Sequence, residues 1–300
     1  MSSQTQKRRE WALASVVLND AYTDFILSRK ALLCSPATIK WYSWTLWKVL
    51  TWFEGQGVQE PNGISARLVR AYLSSLTDRC LSDSYIHSHA RVIRTMLRFF
   101  HNENYLTKPV IFPMPSIRQK RMPVLSTEKV QHLIKTCEYP RDKALVMFMV
   151  DTGARLSEIL SMLWSDIEIS SGVVNIRKGK GGKSRFVVIG IKTRRALLKY
   201  RRTISPNENS PLFQARGGEF ITKSGLRSVL LRLGKLAGFH VSPHMLRRTF
   251  ATLSLRSGMN VFHLQGLMGH SSLDMTKRYV QLLEADLVDA HQMHGPIDNL

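Results

Sequence analysis

Three scarcities narrow the field before any motif is read. The chain of 300 residues holds only three cysteines, Cys34, Cys80 and Cys137. The number is odd and no pair has C-x-x-C spacing, which argues against a disulfide framework and a thiolate zinc site and for a reducing compartment. No apolar run approaches the roughly 20 residues that span a bilayer. The longest, residues 144–150, suits a buried helix instead. The N-terminus MSSQTQKRRE is charged, but the apolar stretch behind it is broken at Ser15 and runs into Asn19-Asp20, so no signal-peptide core follows. The expected location is cytoplasmic, with no membrane partner. Acidic residues are also few: 22 Asp plus Glu stand against 43 Lys plus Arg, a formal net charge of +21.

At 44% hydrophobic residues the chain can bury a core, so the charge excess is no mark of disorder. It belongs on a folded surface, where like charges repel until a polyanion neutralises them. Nucleic acid is the natural partner, because each phosphate contact releases counterions. Charge alone leaves a ribosomal or membrane-surface role open.

The first third has helical period. Tyr22, Phe25 and Ile26 share a face, and Ser35-Pro36 opens a second helix carrying Ile39, Tyr42, Leu46, Leu50 and Phe53 until Gly55 and Gly57 stop it. Ser65 starts a third helix with Val69, Tyr72, Leu73 and Leu76; a fourth from Ser82 carries Ile86, Ala90, Ile93, Leu97 and Phe100. After a tail at residues 1–15, these four form a small helical domain over residues 16–107. Trp41, Trp44, Trp47 and Trp52 in the second helix are expected in its core. Residues 108–122 hold Pro109, Pro113 and Pro115 among basic residues and read as an extended linker. The second domain is expected over residues 123–300, with helices from Ser126, over 142–150, near Arg155, over 192–202 and 224–237, from Pro243 to about residue 255, and over 261–268 and 273–279. Two β-branched runs, 173–178 and 184–189, flank a glycine-rich tip as a hairpin. The fold class is mainly α with a small antiparallel β-sheet.

The unusual polar residues fall in this second domain. Arg155 precedes Glu158 at i, i+3, and an intrahelical ion pair is the ordinary reading. The hairpin tip concentrates Arg177, Lys178, Lys180, Lys183 and Arg185 between glycines; a solvated basic turn is the plain alternative, and GKGGKS lacks the spacing of a phosphate-binding P-loop. His244, Arg247 and Arg248 share one helix, with His244 near its N-terminus behind Pro243. His270 ends a short apolar helix, and Tyr279 follows Lys277 and Arg278. No carboxylate cluster offers a Mg²⁺ site and the histidines lack zinc spacing, so neither metal nor cofactor is expected. Together the set suits phosphoryl transfer. Arginine forks match phosphodiester oxygens, histidines handle protons, a lysine can protonate a departing alkoxide, and a tyrosine can attack phosphorus.

The segments TGARLSEIL (152–160), KGKGGKSRFVVIG (178–190), HMLRRTFAT (244–252) and LMGHSSLDMTKRYV (267–280) resemble the tyrosine recombinase, or phage integrase, family, in family order. SPATIKWYSWTLWKVLTWF (35–53) looks like the start of the core-binding domain of Xer-type members. The resemblance covers nearly the whole chain. It implies a helical SAM-like core-binding domain and an α+β catalytic domain that close as a clamp around duplex DNA. It makes Arg155 and Arg247 phosphate clamps, Tyr279 the nucleophile, His244 and His270 proton-handling and phosphate-contacting residues, Lys180 the general acid and Glu158 the carboxylate that orients Arg155. Lys178 and Lys183 compete with Lys180 for the acid role, and Arg248 stands where a second histidine is common. Arg177, Lys178, Lys183, Arg185, Arg248 and Arg278 are expected to contact DNA.

The implied function is site-specific recombination through a 3′-phosphotyrosyl intermediate, without metal, nucleotide or other small-molecule substrate. The implied assembly is a homotetramer on two double-stranded DNA sites, a second recombinase being the open alternative. Leu282, Leu283, Leu287 and Val288 have an apolar spacing suited to docking on a neighbour. About 16 residues precede the first helix, too few for an additional arm-binding domain, which favours a simple Xer-like, plasmid or transposon enzyme. A type IB topoisomerase and a non-catalytic sequence-specific DNA-binding protein remain the rivals.

Overall fold

Hydroxyl side chains open the helices where the sequence places them. The computed structural model describes residues 17–117, 123–177 and 184–270, together with Thr276. Helix α1 spans Leu18–Ala31, α2 Pro36–Glu54, α3 Ala66–Asp78 and α4 Asp83–Asn102. Ser35 accepts the Thr38 N–H, Ser65 the Leu68 N–H and Ser82 the Tyr85 N–H, at 3.2, 3.2 and 3.3 Å. Each cap satisfies an amide that the helix leaves without a partner, worth about 1 kcal/mol. The apolar stripes of the four helices meet on Phe25, Leu46, Val49, Phe53, Val69, Ile93, Met96 and Phe100, all fully buried.

Of the tryptophans of α2, Trp41 and Trp52 pack against that core as expected, while Trp44 and Trp47 do not. Trp44 is 48% and Trp47 63% exposed, while Trp41 and Trp52 are half-buried. The buried stripe of α2 runs through Leu46, Val49, Leu50 and Phe53, and a rotation of about 100° per residue puts Trp44 and Trp47 on the other side. There the Lys48 ammonium lies 3.7 Å from the centre of the Trp44 ring. The Arg91 guanidinium lies 5.0 Å from that of Trp41.

Two compact units divide the chain, Met1–Lys120 and Arg121–Leu300. Residues 108–117 are extended, but they lie against the first unit rather than running free of it. Val110, Phe112 and Met114 alternate onto its core, as the two-residue period of extended chain dictates. Arg94 donates to the Phe112 carbonyl and the His87 Nδ1–H to the Pro115 carbonyl, each at 2.8 Å. Residues 118–122 lie outside the described residues, as do the tail 1–15 and the expected helix at 273–279 apart from Thr276.

In the second unit α5 (Thr127–Thr136) leads to α6 (Pro140–Thr152), which is buried along most of its length. The short α7 (Leu156–Ile159) precedes a three-stranded antiparallel sheet ordered β1-β2-β3. Its strands are β1 (Ile167–Glu168), β2 (Val173–Ile176) and β3 (Arg185–Val188), with Val173 opposite Val188 and Ile176 opposite Arg185. The hairpin forms as expected; β1, only two residues long, carries no period that sequence could show. Helices α8 (Ile191–Ile204), α9 (Lys223–Ala237), α10 (Pro243–Arg256) and α11 (Val261–Met268) complete the unit. Leu133, Leu145, Phe148, Leu197, Phe213, Leu230 and Leu246 form its core. The architecture is mainly α with a small antiparallel sheet. Among the described residues no helix is long and apolar enough to cross a membrane.

Candidate active site

The site is built around the sharp turn between α6 and α7. Gly153 ends α6 at φ +58°, and a Cβ there would come within 2.2 Å of the Phe250 ring, so only glycine fits. Two residues on, Arg155 caps α7. Its N–H donates to Glu158 Oε2 at 2.7 Å and its Nη1 to Oε1 at 2.9 Å. The Glu158 side chain is almost wholly buried. Burial alone would raise its pKa; the bonds from Arg185 and Arg155 outweigh that and hold the carboxyl below its ordinary value.

Arg185, expected among the DNA contacts, is turned into the fold. It donates to both Glu158 oxygens, Nη1 to Oε1 and Nη2 to Oε2, at 2.8 Å each, and from Nε to the Leu267 carbonyl at 2.8 Å. Its side chain is only 11% exposed. A buried carboxylate claims it, because an unpaired charge there would be far costlier than a surface one.

The end of α11 draws the catalytic arginine candidates together. Arg155 donates to the Gly269 carbonyl and Arg247 to that of Met268, both at 2.7 Å, beside the Arg185 bond to Leu267. Three consecutive carbonyls thus each receive a guanidinium. These are the acceptors a helix C-terminus leaves without partners, at the negative end of its dipole. Arg247 is buried and also donates to the Gly153 carbonyl, tying α10 to the turn after α6.

Helix α10 starts at Pro243, with Ser242 accepting the Met245 N–H. It presents the exposed His244, the buried Arg247 and the half-buried Arg248. Partial burial, then the charges of Arg248, Arg247, Arg227 and Lys223, push the His244 pKa down. His270 follows Gly269, is 9% exposed, and sets Nδ1 2.9 Å from Thr276 Oγ1. Burial, then Arg247, Arg155 and Arg185, lower its pKa to about 4, so its imidazole is neutral at pH 7.

A cleft of about 390 Å³ opens between these elements, lined by Arg155, Leu160, Lys223, Arg227, His244, Arg247, Arg248 and His270 among others. Four expected catalytic residues, Arg155, His244, Arg247 and His270, therefore meet in one place. Arg248 lines the same cleft. Arg177 does not: it is exposed, pairs with Asp166 and donates to Ser165 Oγ at 3.2 Å. Lys178, Lys180, Lys183, Arg278 and Tyr279 lie outside the described residues. Lys223 and Arg227 were not singled out from the sequence. Lys223 sits in the first turn of α9, where the dipole disfavours a cation, and that mismatch was the legible sign of an anion nearby. Among the described residues no cluster of three His, Cys, Asp or Glu could hold a metal. The cleft is a concentration of N–H donors and positive charge suited to an oxyanion or phosphodiester.

The model of the phage integrase family matches residues 123–285, more than half of the chain. The chain belongs to the phage integrase family. The range matched takes in the whole cleft and also positions 180 and 279. Tyrosine recombinase XerA of Saccharolobus solfataricus is 30% identical over 277 residues, covering 89% of this chain and 90% of that protein. Tyrosine recombinase XerC of Oceanobacillus iheyensis is 28% identical over 297 residues, covering 93% and 96%. Among solved structures, a lambda integrase (75–356) dimer bound to a COC′ core site superposes with a TM-score of 0.74 at 17% identity, covering 88% of this chain and 95% of that one. The phage integrase fold thus extends over both units, beyond the stretch that the family model matches.

Proposed function

We propose that this phage integrase family member breaks and rejoins double-stranded DNA at specific sites, with Tyr279 as nucleophile. Family membership makes the chain a site-specific recombinase; the residue roles are our reading. The observation that carries them is the convergence of Arg155, His244, Arg247 and His270 on one cleft, inside a family match that includes Lys180 and Tyr279.

In this reading Arg155 and Arg247 bind the non-bridging oxygens of the scissile phosphate, and Arg248, Lys223 and Arg227 draw in the flanking backbone. The Tyr279 oxygen attacks phosphorus and its proton passes to a basic group of the site. The bond from phosphorus to the 5′-oxygen breaks, with Lys180 protonating that oxygen. A 3′-phosphotyrosyl ester and a free 5′-hydroxyl result. A 5′-hydroxyl from the partner duplex then attacks the ester and releases the tyrosine. The phosphoester is conserved throughout, so no nucleotide is consumed. His270, neutral at pH 7, acts as a hydrogen-bonding and proton-relaying imidazole, while the guanidiniums stabilise the charge building on the phosphoryl oxygens. On the first unit, the exposed face of α2 with Trp44, Trp47 and Lys48 offers a further surface for the duplex. Lys178, Lys183, Arg177 and Arg278 are assigned to phosphate contacts. The working assembly is a homotetramer on two sites, open to a second recombinase, in the cytoplasm.

Covalent trapping tests this. The full chain is incubated in EDTA with nicked suicide duplexes tiled from the DNA around its gene, alongside Tyr279→Phe. A denaturation-resistant adduct with the wild type alone is expected. An adduct that persists in Tyr279→Phe overturns the nucleophile. Tight, specific binding that never yields an adduct overturns catalysis, and relaxation of supercoiled plasmid without a site requirement favours topoisomerase chemistry.

A further inference from the structure

Arg185 takes no part in the reaction just outlined, yet its Nε, Nη1 and Nη2 are all bonded inside the fold. It leaves β3 at the base of the hairpin and gives one N–H to each oxygen of Glu158, a geometry that fixes the plane of the carboxylate. The same two oxygens also receive the Arg155 N–H and Nη1. The Nε of Arg185 binds the Leu267 carbonyl, two residues before the Gly269 carbonyl that holds Arg155 and three before His270. A second observation is independent of these bonds. A Cβ on Gly269 would lie 3.0 Å from Arg185 Cδ and 3.1 Å from its Nε and Nη1. That glycine, already left-handed at φ +60°, is also the opening through which the Arg185 side chain reaches Glu158.

We infer that Arg185 is a positioning residue for strand cleavage, acting through Glu158 and the end of α11 to aim Arg155 and seat His270, and not a DNA contact. The inference rests on the recombinase reading above. Its physical basis is the rigidity of a buried carboxylate shared by two guanidiniums: with one gone, Glu158 can follow Arg155 instead of fixing it. Misaiming a catalytic group by about 1 Å can cost roughly 100-fold in rate.

The test uses the full chain and the suicide duplex on which the wild type forms its adduct. Arg185→Gln, Arg185→Lys, Glu158→Gln and the Arg185→Gln/Glu158→Gln double variant are compared in two measurements. One is equilibrium binding to the intact duplex across salt concentrations; the other is the single-turnover rate of adduct formation, scaled to DNA-binding-competent protein. Arg185→Gln is expected to keep the wild-type affinity and salt slope while the rate falls about 100-fold. Arg185→Lys, which can serve one carboxylate oxygen, recovers part of the rate. The double variant is no slower than the slower single, as expected for residues acting in one chain of contacts. A salt slope reduced by about one with the saturated rate unchanged makes Arg185 a phosphate contact and overturns the inference. Additive losses in the double variant, or a near-wild-type rate in Arg185→Gln, overturn it as well. Should Arg185→Gln fail to fold, Arg185→Lys carries the same comparison. Absence of any wild-type adduct overturns the recombinase reading and the role with it; a wild-type adduct indifferent to Arg185 overturns the role alone.

Discussion

Replacing Glu158 by glutamine keeps its shape and removes its charge, which isolates what the buried carboxylate contributes. In the folded chain it accepts four bonds, from the Arg155 N–H, Arg155 Nη1, Arg185 Nη1 and Arg185 Nη2, at 2.7, 2.9, 2.8 and 2.8 Å. An amide oxygen can retain two of them, while the NH₂ group turns donors toward guanidiniums. Two charge-assisted bonds are lost, each worth about 1.5–3 kcal/mol. Against this, the cost of stripping water from the carboxylate disappears. The balance is a loss of about 3 kcal/mol at neutral pH, at the low end for a broken buried pair. For a unit of this size that lowers the melting temperature by about 6–12 °C. The loss also has a pH signature. Because the folded pKa lies below the ordinary value of 4.5, the contribution is complete above that value and fades as pH falls through the folded pKa. Urea unfolding of wild type and Glu158→Gln across pH reads this directly: parallel stability curves above about pH 5, converging in stronger acid. A deficit below about 1 kcal/mol would mean that desolvation cancels the bonds. A deficit that persists unchanged into acid would mean that charge is not its source.

Three further outcomes are expected. Gly153→Ala forces a Cβ against Phe250 at positive φ and should destabilise by about 2–4 kcal/mol; a urea midpoint near that of the wild type would contradict the geometry. Trp47→Ala should change stability by no more than about 0.5 kcal/mol, whereas a core tryptophan would cost about 3–5 kcal/mol by the same unfolding assay. Since the folded pKa of His270 is about 4 against an ordinary 6.5, the unfolded chain binds the proton first, and stability should fall as pH drops through that window. Imidazole NMR of the full chain should show His270 neutral at pH 6; a midpoint near 6.5 would remove the effect of burial and the three arginines.

What the sequence shows about this site is whatever one helix or one turn can hold. His244, Arg247 and Arg248 are fixed relative to one another by helical spacing, and Arg155 with Glu158 by the i, i+3 pair, so these were readable directly. Arg185 was not. Whether a strand residue faces solvent or a carboxylate depends on sheet register and on what packs above it, and its basic neighbours in the hairpin suggested DNA instead. Lys223 and Arg227 reach the cleft from a separate helix whose placement is purely tertiary. Trp44 and Trp47 depart from the expectation because α2 is apolar on several sides, and its packing against α1 and α4 decides which stripe is buried. The segment at 108–117 is extended as expected, and what its composition leaves open is where it lies. Its prolines rule out helix but not an extended chain laid on a core, and the alternation of Val110, Phe112 and Met114 was the sign of it.

The three arginines at the end of α11 differ in what they can give up. Arg155 gives Nη1 to Glu158 and Nη2 to the Gly269 carbonyl, and Arg247 donates to the carbonyls of Met268 and Gly153, so each guanidinium is ordered near the cleft and holds at least one neutral acceptor. On the recombinase reading, a phosphate then exchanges one acceptor for a stronger, charged one, without the entropy cost of gathering loose side chains. Arg185 faces a carboxylate, an acceptor as charged as the phosphate and buried beside it. Moving it would leave Glu158 with fewer partners in a place where an uncompensated charge is costly. Arg185 commits both Nη groups to the carboxylate where Arg155 commits one, and that share, more than distance from the cleft, separates the arginines that can turn to DNA from the one that keeps them aimed.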